Sequence, residues 1–236
     1  MSPHSSDLAF DLALDHPVWH ALQGRQASLA TMTGAACRID PAYGPFAAAA
    51  PGYEADLAAL LTSAEDQIWM VETRPLPPVP GTQVLAVVPL IQMVADGPQA
   101  AASEDPDIVL LDEADAADMA ALVGATEPGP WRALSHRYGR YYGIRRAGLL
   151  AAMAGERMRP VPEFGEVSGV CTAHAFRGQG MAARLIRQVM AGLIADGETP
   201  FLHSLPDNHH AIRLYESLGF RTRRAMVVTA LGRAEA

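Results

Sequence analysis

Residues 167–186, VSGVCTAHAFRGQGMAARLI, constrain this chain more than any other stretch. An apolar, strand-like run ends at Thr172, and a short loop carries Arg177-Gly178-Gln179-Gly180. From about Gly180 to Ala195 the apolar residues Ala182, Leu185, Ile186, Val189, Met190, Leu193 and Ile194 recur at i, i+3 and i+4. The pattern predicts a strand, a glycine loop and a long amphipathic helix, which Gly197 stops. Two glycines in four residues let backbone N–H groups turn toward one point, and the helix start adds further free N–H groups and a partial positive charge. Such a loop cradles an anion, and Arg177 can add a charge-assisted contact. A dinucleotide-binding turn is the rival reading. It needs G-x-G-x-x-G and an acid about 20 residues on, whereas here the run is G-Q-G-M-A-A and Asp196 falls near the end of the helix.

The flanks repeat the alternation of strand and helix. Upstream, Asp107–Leu111 reads as a strand, Ala114–Val123 and Trp131–Tyr138 as helices, and Tyr141–Arg146, Gly148–Arg157 and Gly165–Thr172 as three strands. Downstream come a strand at Pro200–Leu205, a helix at His209–Leu218 and a last strand at Ala225–Leu231. The fold class is α/β (α+β), a mixed, mostly antiparallel twisted sheet with helices on both faces. Asp96–Asp107, DGPQAAASEDPD, reads as a linker. It predicts an N-terminal α/β domain over 1–103 and a second domain over 104–236. In the first we expect helices at Val18–Leu29 and Ala55–Leu61 and strands at Gln67–Glu72 and Val84–Val94.

Composition narrows the chemistry. Half of the 236 residues are apolar and 19% are charged, which suits a packed core rather than disorder. All 18 basic residues are arginines, so Schiff-base chemistry and a P-loop lysine are excluded. Two distant cysteines, Cys37 and Cys171, make neither a disulfide framework nor a zinc cluster, so no metal is expected. No apolar run approaches a membrane span, and the first fifteen residues lack the basic start of a secretory leader. The expected location is cytoplasmic. Charge is uneven. Residues 1–131 hold three arginines and 18 acids (3 − 18 = −15), and residues 132–236 hold 15 arginines and eight acids (15 − 8 = +7). The second part suits a polyanion such as nucleic acid or a phosphate-rich cofactor, unless the two parts simply attract each other.

The loop and its flanks resemble the GNAT superfamily of N-acyltransferases. Residues 177–182, R-G-Q-G-M-A, fit the family's acyl-CoA signature [QR]-x-x-G-x-[GA], and N-x-x-A-I-R-L-Y-E-S-L-G-F at 208–220 follows in the family's order. The resemblance covers about 105–236. It implies a GNAT-like acyl-CoA fold, with Arg177, Gly178, Gln179, Gly180, Met181 and Ala182 on the cofactor's pyrophosphate. It also implies that the backbone of Val170 and Thr172 pairs with the pantetheine arm and that Asn208 contacts the cofactor. The tyrosine at position 215 matches the one that protonates the departing thiolate, and Glu166 the general base of histone-acetylating members. The N-terminal part could be a degenerate second copy of the same fold, without a second CoA signature.

Blander readings stand beside these. Tyr215 shares helical spacing with Ala211, Ile212 and Leu218, as a core aromatic would. Glu166 could be a salt-bridged strand residue with Arg157 or Arg159 as partner, and Glu156 is a rival base. Asn208 is a preferred helix cap. His203 fits a satisfied core histidine. Alternation puts Cys171 on the face opposite Val170 and Thr172, as a structural thiol. The expected function is direct ternary-complex transfer of an acetyl group from acetyl-CoA to a primary amine of a small molecule or peptide. A non-catalytic acyl-CoA-binding module is the alternative. Dispersed arginines and 6% aromatics argue against a nucleic-acid partner. No membrane partner is expected, and the chain is read as a monomer or homodimer. Acidity of the N-terminal half favours a cationic amine or basic peptide as acceptor.

Overall fold

In a computed structural model, residues 5–96 and 105–234 are described. The chain opens with helices α1 (Ser5–Asp15) and α2 (Pro17–Gln23) and a small antiparallel sheet of β1 (Ala30–Thr33), β2 (Ala36–Ile39) and β3 (Ala47–Ala49). Strands β4 (Gln67–Glu72) and β5 (Thr82–Ala95) follow. Then come β6 (Ile108–Leu111), α3 (Ala116–Thr126), β7 (Tyr141–Arg146), β8 (Leu149–Glu156) and β9 (Phe164–Thr172). The chain continues through α4 (Met181–Ala195), β10 (Thr199–Ser204), α5 (His209–Ser217) and β11 (Phe220–Arg233).

Eight strands form one sheet in the order β4-β11-β5-β10-β9-β8-β7-β6. Only β9 and β10 run parallel; the other pairs are antiparallel. Strands from both sides of residue 103 therefore share the sheet. The expected linker joins two of its strands, and β5 lies inside it between β10 and β11. Residues 97–104 of that linker lie outside the described residues.

Two layers cover the sheet. Leu185, Ile186, Val189 and Leu193 of α4 pack with Leu202, Met93 and Phe220 on one face. That is the stripe the sequence predicts. On the other face, Val18 and Leu22 of α2 and Cys37 and Ile39 of β2 pack with Phe46, Val71, Phe201 and Val228. Helix α3 covers Met153 and Cys171 further along. Cys171 thus faces away from Val170, which packs toward α4.

Three expected helices come out differently. Trp131–Tyr138 is a loop with one 3₁₀ turn at Ser135–Arg137. It follows Pro128 and Pro130, and tertiary bonds hold it: Leu134 N–H donates to Ala42 O at 2.8 Å, and the Ser135 hydroxyl donates to Tyr43 O at 2.7 Å. Val18–Leu29 splits into α2 and a 3₁₀ turn at Ala27–Leu29, broken at Gly24. Ala55–Leu61 is a 3₁₀ helix over Glu54–Leu60.

Candidate active site

Strands β9 and β10 pair only at their beginnings, from Thr199↔Phe164 to Phe201↔Glu166. Beyond that point they part, and at Gly169 the β8–β9 ladder is irregular. Gly169 has φ +61°, and a Cβ there would meet the Tyr141 ring at 2.8 Å, so the kink needs glycine. The parting leaves backbone groups of β9 without a strand partner. Ala173 N–H donates to Ala151 O at 2.8 Å on the β8 side. By strand alternation Thr172 N–H then faces the gap.

A cavity of about 1140 Å³ occupies this gap. Its lining includes Val170, Thr172, Arg177, Gly178, Gln179, Gly180, Met181, Ala182, Asn208 and Tyr215. Ten of the eleven residues singled out in the sequence therefore converge on one space. Gly178 and Gly180 have φ of +76° and +72°, and no side chain among the described residues caps α4, so its first N–H groups are left to a ligand. Arg177 reaches back to Thr172 O, with Nε donating at 3.3 Å. Asn208 caps α5 by accepting from Ala211 N–H at 3.2 Å while lining the cavity. Tyr215 packs edge-on against Phe220 at 6.1 Å, and burial pushes its phenol up to about 12. Burial likewise pushes the Cys171 thiol up to about 11, so it is no ready nucleophile.

Glu166 is the exception. It is fully buried and off the cavity wall. Arg157 donates to it through Nε and Nη2, each at 2.8 Å, and His203 Nδ1 lies 2.8 Å from Oε1. Burial alone would raise its pKa, but the Arg157 guanidinium and the His203 ring hold it well below the usual carboxylate range. Glu166, expected to take a proton from the acceptor, is thus placed off the cavity wall and engaged with Arg157 and His203. It anchors Arg157 and His203, which do line the cavity. Glu156 is also buried, tied to Arg140 and Arg159.

Charge at the cavity is more local than the sequence totals imply. Arg145, Arg146, Arg184, Arg223 and Arg224 all pair with acids of the first 131 residues. The two parts do attract each other. Arg177 and Arg213, at the cavity, have no ion-pair partner among the described residues and remain available to phosphates. Sequence reasoning missed Arg213, although its place three residues after His210 puts both on one side of α5. It also missed the wall formed by Phe46, Trp69, Val71, Val88, Leu90 and Val228. Among the described residues, no group of three His, Cys, Asp or Glu is placed to hold a metal ion, and no helix is long and apolar enough to cross a membrane.

A splayed parallel pair with a glycine cradle at the following helix defines an acyl-CoA-dependent transferase site. Residues 141–228 match the family model described as FR47-like protein. The chain is 59% identical to a protein from Novosphingobium aromaticivorans DSM 12444 assigned to the GNAT family of acetyltransferases. That match covers 94% of this chain and 99% of the other, with a TM-score of 0.92. This chain belongs to the GNAT family and is an acyltransferase. A GCN5-related N-acetyltransferase from Kribbella flavida shares the fold at 19% identity and TM-score 0.57, over 96% of this chain and 95% of that one. A GNAT-family acetyltransferase from Colwellia psychrerythraea does so at 14% and 0.54, over 97% and 96%. No curated protein matches the chain.

Proposed function

We propose that this enzyme moves an acetyl group from acetyl-CoA to a primary amine in a ternary complex. The observation that carries the reading is the single cavity joining the Gly178–Gly180 cradle to the gap between β9 and β10. The backbone N–H groups of the cradle, with Arg177 and Arg213, bind the phosphates. Thr172 and Val170 offer backbone groups to the amide-bearing arm, as an edge strand does to an added strand. The N–H of Thr172 is the donor for the oxygen that gains charge when the amine attacks the thioester.

The amine must first lose a proton, since an ammonium has no lone pair to attack with. Glu127 is the one carboxylate among the described wall residues, and we assign it that proton. Tyr215 faces the leaving thiolate. With its phenol pushed up to about 12, transfer of its own proton to a thiolate of pKa about 8.5 runs uphill. Its hydroxyl therefore stabilises the thiolate as a hydrogen-bond donor. The test is release of free thiol from acetyl-CoA over an amine panel, beside calorimetric titration with CoA. Binding with amine-dependent release supports the reading, and absence of either overturns it.

A further inference from the structure

The cavity does not stop at the gap. It passes through to the other face of the sheet, where β4, β11 and β5 present two cross-strand rows, Val71–Val228–Val88 and Trp69–Ala230–Ala86. Phe46 and Leu90 complete this wall. Arg157 lies beside it, its guanidinium 4.9 Å from the Phe46 ring and matched by Glu166. That pair cancels. Of the described acids of the first 131 residues only Glu127 lines the cavity; Asp11 and Asp15, for example, are engaged with Arg223. Past Ile91, β5 has no partner on its β10 side among the described residues, and Ala86 is exposed while Val88 and Leu90 are half-buried. The β5 side of the wall is therefore left partly wet inside a cleft, and covering it is favourable.

We infer that the acceptor is a small primary amine carried on an apolar or aromatic body, which lies on this wall while its nitrogen points at the gap. This rests on the transferase reading above and replaces the basic acceptor suggested by overall charge. A polycation would find one carboxylate, Glu127, for its reacting nitrogen, and its other charges would face an apolar wall and a neutralised ion pair and shed their hydration for no partner. The wall reaches solvent along the open side of β5. A substrate that enters and leaves separately from the coenzyme needs such a door; an acyl chain, which arrives on the coenzyme, does not.

The experiment compares kcat/KM with acetyl-CoA for 2-phenylethylamine, hexylamine, spermidine and a lysine-containing basic peptide, on the full chain and on Val88→Asp. We expect the apolar amines to lead by about tenfold or more, the scale of one or two apolar groups in a pocket. Val88→Asp should raise KM for them about tenfold, with calorimetric affinity for CoA unchanged. A lead for spermidine or the peptide overturns the inference, as does a folded Val88→Asp with unaltered preference. A parallel series of acetyl-, hexanoyl- and octanoyl-CoA covers the remaining occupant. Faster turnover of the long chains that Val88→Asp abolishes would give the wall to the acyl group, and the inference falls. Failure of the transferase reading looks different: no CoA binding and no thiol release with any amine.

Discussion

Arg157 and Glu166 form a two-point clasp beneath the cavity, with Nε on Oε2 and Nη2 on Oε1 at 2.8 Å each. The backbone repeats the link, Arg157 N–H donating to Glu166 O at 3.0 Å. Glu166→Gln keeps the shape but leaves the largely enclosed guanidinium unmatched. Breaking a buried pair in this way costs about 3–5 kcal/mol. For a chain of this size that lowers Tm by about 10 °C. Scanning calorimetry checks it, and a drop of less than about 2 °C would show that the clasp is not structural.

The same clasp predicts acid sensitivity. Glu166 has a folded pKa depressed below its unfolded value of about 4.3. Its contribution to stability is therefore complete above that value and is lost as pH falls below it. Urea midpoints measured from pH 6 downward should decline below about pH 4.3, and Glu166→Gln should flatten the decline. Equal slopes for the two proteins would remove Glu166 as a cause.

On the proposed mechanism, Tyr215→Phe removes one hydrogen-bond donor from the leaving sulfur and leaves the packing on Phe220 in place. Loss of a donor to developing charge lowers kcat by about 100-fold or more. The KM for acetyl-CoA should hardly move. With the phenol raised to about 12, the wild-type rate should also show no alkaline fall from its ionisation in an ordinary assay range. Unchanged turnover in the variant would take Tyr215 out of the reaction.

How much of this was legible in the residues depends on distance along the chain. The cradle is local: Gly178 and Gly180 sit next to the helix they open, so spacing and period reveal it. Strands β7 to β9 and helix α4 are legible for the same reason. The apolar wall is not local. Trp69, Val88 and Val228 meet only through the β4–β11–β5 registers, and in sequence each is merely one apolar residue of a strand. The burial of Glu166 likewise follows from the register that brings Arg157 beside it, a partner its sequence position only suggested. The loop at Trp131–Tyr138 had helical spacing, but contacts to Ala42 and Tyr43 outweighed it.

Glu127 ends α3 in a left-handed conformation, φ 47° and ψ 54°, and stands on the cavity wall. Glu127→Gln should lower kcat/KM for an amine at pH 7 by about 100-fold, the scale of one general base. The deficit should shrink as pH rises toward about 10, where a substantial share of an alkylamine is already neutral. A deficit that stays constant with pH would assign Glu127 to binding alone.

Gly180→Val tests the cradle itself. A Cβ at this position would meet nothing within 4 Å, so the obstacle is conformational rather than steric. At φ +72° a β-branched residue is strained by about 1–3 kcal/mol. The loop can relieve that strain only by turning its N–H groups away from the point they share. Affinity for CoA should fall about 10- to 100-fold, since each 1.4 kcal/mol is a factor of ten. Thermal stability should change little, because the loop is exposed and α4 keeps its buried stripe. Calorimetric titration with CoA reads the first effect and a melt reads the second. A variant that binds CoA as tightly as the parent would show that the phosphates are held elsewhere.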